Sequence, residues 1–69
     1  MASKQILTLR EKEIFDMLIK NYDTEEIAEK LNITSKTVRN HISNVILKLG
    51  VKGRSQAIIE LLKIKEIKL

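Results

Sequence analysis

The apolar residues between Thr34 and Gly50 recur at the spacing of an α-helix. At about 100° per residue, one stripe of this helix is apolar and the opposite stripe is polar and basic. The apolar stripe consists of Val38, Ile42, Val45 and Leu49. The polar stripe consists of Lys36, Arg39, Asn40 and Ser43. Because Thr34 suits an N-cap and Gly50 a left-handed helix end, the pattern predicts an amphipathic helix over about residues 35–49.

A shorter helix precedes this one across a tight turn. In the segment DTEEIAEKLNI, Asp23 can cap a helix from about Thr24 to Leu31, and Glu26 is its capping-box partner. Only two residues then separate the end of this helix from the N-cap of the following one. Two helices joined in this way predict a helix-turn-helix, whose second helix presents its N-terminal half to the major groove of DNA.

A first helix is predicted before this pair. Thr8, with Glu11 three positions on, repeats the capping-box pattern and predicts a helix from about Leu9 to Asn21. Its apolar arc is too wide for one neighbour, so we expect it to lie between the helix-turn-helix and a last helix. Residues 1–7 are predicted to be a short arm, with Ile6 and Leu7 as candidates for packing on the core.

The last helix, predicted over about residues 54–64, carries more apolar surface than one small core can cover. One stripe consists of Ala57, Leu61 and Ile64. A second stripe, rotated by roughly 140° at helical pitch, consists of Ile58, Ile59 and Leu62. Surplus apolar surface of this kind is typical of a two-fold contact, so the second stripe is the predicted dimer interface. The alternative is that these few side chains stay exposed.

Composition excludes several classes of function. The 69 residues are enough for one small domain, and they include no Cys and a single His, so neither a disulfide, a metal site nor a cofactor is expected. No Ser, His and acid motif and no glycine-rich phosphate loop supports an enzyme, and so small a core leaves no room for a small-molecule ligand. Without an apolar run of membrane-spanning length, we expect a cytoplasmic protein that does not bind membranes.

The charge is unevenly distributed along the chain. The formal net charge is +4, but acidic residues crowd positions 11–29, whereas positions 34–55 contain none. That second stretch carries Lys36, Arg39, Lys48, Lys52 and Arg54. The positive field is therefore centred on the predicted helix-turn-helix, which indicates a polyanionic partner such as double-stranded DNA.

The segments LTLREKEIFDMLIK and EEIAEKLNITSKTVRNHISNVILKLGVKGRSQA resemble the LuxR-type helix-turn-helix family. The family pattern runs through L-T-x-R-E, E-I-A, T-V-K/R-x-H, K-L-G-V and R-x-Q-A, and the match covers about residues 7–62. The resemblance implies an all-α, four-helix domain that forms a homodimer through its last helix and regulates promoters as two half-sites. The chain has neither the receiver nor the ligand-binding half of most members, and it resembles a stand-alone member that regulates late spore-coat genes.

The resemblance also implies which side chains read bases. Family members use the positions that are here Arg39, Asn40 and Ser43, all on the predicted polar stripe. Arg can pair in bidentate fashion with guanine and Asn with adenine. The alternative for Arg39 is a phosphate contact or a solvated surface charge, since most hydrogen bonds from proteins to DNA go to its backbone.

Five further residues are predicted phosphate contacts: Thr24, Lys36, Thr37, Lys48 and Arg54. Lys36 and Thr37 lie in the first turn of a helix, where free amides and the helix dipole favour an anion, and Thr24 begins the preceding helix. Arg54 has a packing role between helices as its alternative. Glu25 departs from the family pattern, which often has Lys there, and so removes one expected phosphate contact. His41 is predicted to be structural.

The sequence therefore predicts a homodimeric, sequence-specific regulator of transcription. The main alternative is a protein interaction module that uses the last helix and the helix-turn-helix face, with an incidental basic surface. A nonspecific architectural DNA binder is a third hypothesis. Binding to DNA would weaken steeply with salt, whereas an apolar protein interface would not. Activation would also need a surface for RNA polymerase, which the sequence does not reveal.

Overall fold

The computed structural model describes residues 6–69, so most of the predicted N-terminal arm lies outside the described residues. Those residues form four α-helices and no strand. The helices are α1 (Leu9–Ile19), α2 (Thr24–Leu31), α3 (Ser35–Leu49) and α4 (Arg54–Lys63). The predicted all-α, four-helix fold class is confirmed. The prediction for α1 ran two residues too far, because Asn21 adopts a left-handed conformation with φ of 71° and the chain turns there.

Local hydrogen bonds explain where three of the helices begin. The Thr8 side chain accepts from the Glu11 N–H, and the Glu11 carboxylate accepts from the Thr8 N–H in return. Asp23 and Glu26 form the same reciprocal pair at the start of α2. Thr34 caps α3 by accepting from the N–H of Thr37 at 3.1 Å. α4 differs, because its N-cap is Gly53, which has no side chain to form a capping bond.

All four helices end through a residue in the left-handed conformation. These residues are Asn21, Asn32, Gly50 and Lys65. In each case the next N–H reaches back to a carbonyl five residues earlier, as Glu66 N does to Leu61 O at 2.9 Å. Asn and Gly tolerate this conformation, whereas a lysine Cβ is crowded against the following carbonyl. Lys65 is therefore the one helix end at which the residue type opposes the backbone.

The central element is α3, which packs against α1, α2 and α4. Its inner face, made of Val38, Ile42 and Val45, is removed from solvent. The other buried apolar residues are Leu7, Ile14, Phe15, Ile27, Ala28, Ala57, Leu61 and Ile67. Because three helices close over one face of α3, its opposite face is the one left to solvent.

An ion pair joins the ends of α1 and α3 that lie close together. The Glu11 side chain is buried at 5% exposure, and its Oε1 lies 2.7 Å from Lys48 Nζ. Lys48 Nζ also donates to the carbonyl of Ile6 at 3.0 Å. Burial raises the pKa of the Glu11 carboxyl, but hydrogen bonds from Lys48 and the Thr8 N–H outweigh burial and leave the pKa below its ordinary 4.5. The charged form of Glu11 is thus part of the fold.

The segment after α4 returns to the core instead of continuing the helix. Ile67 is buried at 2% exposure. The Glu66 carboxylate accepts hydrogen bonds from the N–H groups of Ile6 and Leu7 at 3.3 and 3.4 Å. The residues before α1 and after α4 therefore hold each other, and Leu7 belongs to the core.

Glu11 should make the stability of the domain depend on acid pH. Because its folded-state pKa is depressed, its contribution is present above the unfolded pKa and is lost as pH falls through the folded pKa. We expect Glu11→Gln to lower the free energy of unfolding by about 1 to 3 kcal/mol at neutral pH and to flatten its loss below about pH 4.5. Urea unfolding across this range measures both effects.

The matched control for that experiment is Glu13→Gln, because Glu13 is half-exposed beside Arg10. We expect it to leave the pH profile close to that of the unaltered chain. Parallel profiles for Glu11→Gln and the unaltered chain would contradict the role assigned to the Glu11 charge.

Lys65→Gly should stabilise the domain by about 0.5 to 1 kcal/mol, because Gly adopts the left-handed conformation without strain. The control is Lys63→Gly, which places Gly at the last residue of α4 and should lower stability by up to about 1 kcal/mol. Thermal unfolding of the two variants tests the difference. A loss of stability in Lys65→Gly would show that the lysine side chain outweighs its backbone strain.

Candidate nucleic-acid interface

The outer face of α3 carries a continuous row of exposed polar side chains. The structure brings together on it the three predicted base-reading residues, Arg39, Asn40 and Ser43, all exposed. Arg39 and Asn40 are consecutive, and Ser43 lies one turn further along the helix, so the three point to the same side. Their direction follows from the burial of Val38 and Ile42 on the inner face.

The same row continues in both directions along α3. Lys36 precedes Arg39 by about one turn and is exposed. Leu47 follows Ser43 by four residues and is 78% exposed. This exposed leucine gives the otherwise polar row an apolar end, and the sequence pattern predicts no role for it. From Lys36 to Leu47 the row therefore spans about three turns of the helix.

The start of α3 is ordered by its own capping contacts. Thr37 is half-buried, and its hydroxyl lies 2.9 Å from the Thr34 hydroxyl. The Thr37 N–H is already bonded to Thr34, so an anion would meet the neighbouring free amides of the first turn and the Lys36 ammonium. Thr24 occupies the first position of α2 and is half-buried. Phosphate contacts by Thr24, Lys36 and Thr37 stay predictions.

Lys48 has partners inside the protein. Its ammonium is engaged by Glu11 and by the Ile6 carbonyl, which leaves one of its three N–H groups for any outside acceptor. The sequence predicts Lys48 as a phosphate contact, and nothing in its local pattern indicates this ion pair. The signal was available in the position of Glu11, which lies at helical spacing from Ile14 and Phe15 on the apolar arc of α1.

Two other charged side chains flank the helix-turn-helix. Arg54 is exposed as the first residue of α4 and follows the exposed Lys52. Glu25 is exposed in the first turn of α2, where it places a negative charge beside that helix end. The candidate interface is thus basic on α3 and at the start of α4, and acidic at the start of α2.

The second apolar stripe of α4 is only partly exposed. Ile59 is 57% exposed, whereas Ile58 and Leu62 are half-buried and pack against the core. Ile64, expected on the buried stripe with Ala57 and Leu61, is 41% exposed instead. The reason is that α4 ends at Lys63, after which the stripe no longer continues.

Residues 6–69 include no group of three or more His, Cys, Asp or Glu side chains that could hold a metal ion. Among the same residues, no helix combines the length and the apolar character that crossing a membrane requires.

A four-helix domain that buries one face of its central helix and exposes a basic row on the other defines a helix-turn-helix nucleic-acid binder. A family model described as bacterial regulatory proteins, luxR family, matches residues 5–61. The chain therefore belongs to the LuxR family of bacterial regulatory proteins and is a DNA-binding regulator of transcription. The predicted LuxR-type fold and family are confirmed.

The relatives differ in how much of their own length this chain covers. It is 58% identical to the spore germination protein GerE of Bacillus subtilis (strain 168), over 97% of this chain and 90% of that protein. It is 43% identical to the transcriptional regulatory protein DegU of Brevibacillus brevis, over 84% of this chain but 25% of that protein. It is 47% identical to the response regulator protein VraR of Staphylococcus aureus (strain COL), over 80% of this chain and 26% of that protein.

A solved structure agrees with these sequence relationships. The structure of the transcription factor GerE superposes with a TM-score of 0.92 at 57% identity and covers 94% of this chain and 97% of that one. The predicted resemblance to this stand-alone regulator is confirmed over nearly the whole of both chains.

Proposed function

We propose that the chain regulates promoters of late sporulation genes, including spore-coat genes, as a homodimer that inserts α3 into the major groove of each half-site. The observation that carries this proposal is the exposed row of Arg39, Asn40 and Ser43 on a helix whose other face is buried. The similarity to a spore germination protein supports the gene class. The proposal includes no catalytic step and no cofactor, and it places the protein at the nucleoid in the cytoplasm.

The length and the hydrogen-bonding groups of the Arg39, Asn40 and Ser43 side chains determine which bases they can contact. The major groove is about 12 Å wide and admits one α-helix. Arg39 has the paired donors that match the O6 and N7 acceptors of guanine, and Asn40 has the donor and acceptor that match adenine. Ser43 has a shorter side chain, so it contacts a base only where α3 lies deepest. Leu47 lies further along the row, where an apolar side chain suits a thymine methyl group.

Phosphate contacts orient α3 in the groove. Lys36 and the free amides of the first turn of α3 face one strand, and Thr24 and Thr37 are next to them at the two helix starts. Arg54 extends this contact from α4. Lys48 contributes least, because Glu11 neutralises much of its charge. Glu25 weakens the contact beside α2 by like-charge repulsion.

The dimer contact uses the exposed part of α4. Ile59 is its centre, and Ile58 and Leu62 flank it with their half-buried side chains. In a two-fold contact each side chain is used twice, so a small apolar patch on one subunit gives twice its area in the dimer. Two subunits joined in this way bind the two half-sites together. RNA polymerase is the further partner that activation requires.

Arg39→Ala should relax base preference at one position of each half-site, with a loss of about 1 to 3 kcal/mol for the preferred sequence. The measurement is binding selection on randomised duplex DNA at fixed salt. The matched control is Lys36→Ala, which removes one charge from the same helix. Lys36→Ala should weaken all sequences alike and reduce the dependence of log affinity on log salt by about one.

Three outcomes of the selection, and of affinity measurements over a range of salt, would count against the proposal. No enriched sequence for the unaltered folded chain would favour the protein interaction module. An affinity that does not fall with salt would do the same. If Arg39→Ala weakens all sequences equally, Arg39 contacts phosphate and the chain binds DNA nonspecifically.

Ile59→Glu should abolish the dimer, because two symmetry-related carboxylates would face each other in an apolar contact. We expect a monomer by analytical ultracentrifugation and a weaker affinity for paired half-sites. Leu9→Glu is the matched control, because Leu9 is an exposed leucine on α1, 76% accessible, and lies outside the proposed interface. A monomer in both variants, or a dimer in both, would contradict the assignment of α4.

A further inference from the structure

A second basic surface lies away from α3. A cleft of about 510 Å³ separates α1 from the segment that follows α4. Its lysines are Lys12, Lys20, Lys65 and Lys68. No residue of α2 or α3 lines this cleft. A duplex held on the outer face of α3 therefore leaves the cleft accessible to another molecule.

The acidic residues in the cleft already have partners. Asp16 accepts from Lys12 Nζ at 3.0 Å. The Glu66 carboxylate is used by the N–H groups of Ile6 and Leu7. Lys20, Lys65 and Lys68 are exposed. The partners of Glu66 are neutral N–H groups, so its negative charge remains, but four lysines against two carboxylates still leave the cleft with a net positive charge.

The left-handed backbone conformation of Lys65 independently indicates that its side chain has a function. The other three left-handed helix ends carry Asn or Gly, whereas this one carries Lys with φ of 63°. A strained residue of this kind is found most often at functional sites, where its side chain compensates for its backbone energy. The strained turn also places Lys65 where it lines both the cleft and the apolar groove beside it.

That neighbouring groove has a different chemical character. It has a volume of about 590 Å³ and is lined by Leu62, Ile67 and Leu69 together with the side chains of Lys65 and Lys68. The two concavities share their lysines, so a ligand that spans both meets ammonium groups and apolar surface in succession. The apolar lining of the groove suits large apolar side chains, which a phosphate backbone does not have.

We propose that this surface binds an acidic segment of another protein, in which carboxylates alternate with large apolar side chains. The carboxylates pair with Lys20, Lys65 and Lys68, and the apolar side chains enter the groove beside the exposed Leu69. This function goes beyond DNA binding, because it uses residues that the proposed DNA interface does not. It gives the DNA-bound protein a surface for a protein partner, which borders the proposed dimer contact at Leu62.

The experiment titrates a short acetylated and amidated peptide of alternating Glu and Leu into the isotope-labelled chain and follows the backbone amides by NMR. We expect the largest shifts at residues 65–68 and along the Lys12 to Lys20 face of α1. A peptide of alternating Gln and Leu is the probe without charge and should bind weakly. The double variant Lys65→Gly with Lys68→Gln should raise the dissociation constant by about fivefold to tenfold.

Control variants distinguish a specific binding site from nonspecific electrostatic attraction. Lys63→Gln removes an exposed lysine of the same segment that does not line the cleft, and it should change the affinity by less than about twofold. Lys65→Gly alone should weaken peptide binding while the domain becomes more stable, which excludes unfolding as the cause. DNA affinity of the double variant should remain that of the unaltered chain.

Three results would overturn the proposal. One is that the peptide shifts the amides of α3 instead. Another is that Lys63→Gln weakens binding as much as the double variant does. The third is that DNA affinity falls in the double variant while peptide binding is unchanged, which would make the cleft a DNA contact. DNA binding by the unaltered chain is measured separately, so failure here does not affect the proposed regulator function.

Discussion

The arrangement of this domain depends on the burial of one face of α3 by the other three helices. Val38, Ile42 and Val45 are almost completely removed from water, and apolar burial of this kind contributes about 1.5 to 3 kcal/mol per side chain. A rotation of α3 about its axis would expose them, so the same contacts also determine which side chains face outward. The exposed row of Arg39, Asn40 and Ser43 is thus held in place by the core.

A series of hydrogen bonds connects α3 to the residues before α1 and to the segment after α4. Glu66, after α4, holds the backbone of Ile6 and Leu7; the Ile6 carbonyl accepts from Lys48 on α3, and Lys48 pairs with Glu11 on α1. The last turn of α3 is therefore tied to α1 and, through the residues before α1, to the segment after α4. The lysines therefore differ in their roles. Lys48 supports the fold through its bonds to Glu11 and Ile6, whereas Lys36 and Lys65 belong to the exposed surface.

Local chemistry was predictable because each signal acts within a few residues. The capping boxes at Thr8 and Asp23 and the left-handed Gly50 lie where the pattern indicated. The errors in helix length lie at helix ends, where the apolar pattern continues past the turn that ends the helix. The pattern of α1 continued to Asn21, but the turn that ends the helix begins earlier, and Ile64 is exposed because α4 stops before it. The base-reading and dimer assignments stay predictions, since a DNA or partner contact is a property of two molecules.

By itself, the sequence determined the four helices, their caps, the apolar face of α3 and the resemblance to a regulatory family. The helices, caps and apolar face depend on periodicity and on bonds between residues three or four positions apart, whereas the resemblance depends on the motifs that the chain carries. Only the tertiary structure decided that Lys48 pairs with Glu11, 37 positions away, and that Glu66 binds Ile6, 60 positions away. The physical reason is that a lysine or a glutamate has the same local signature whether it is solvated or paired, so its partner is known only when the chain has folded.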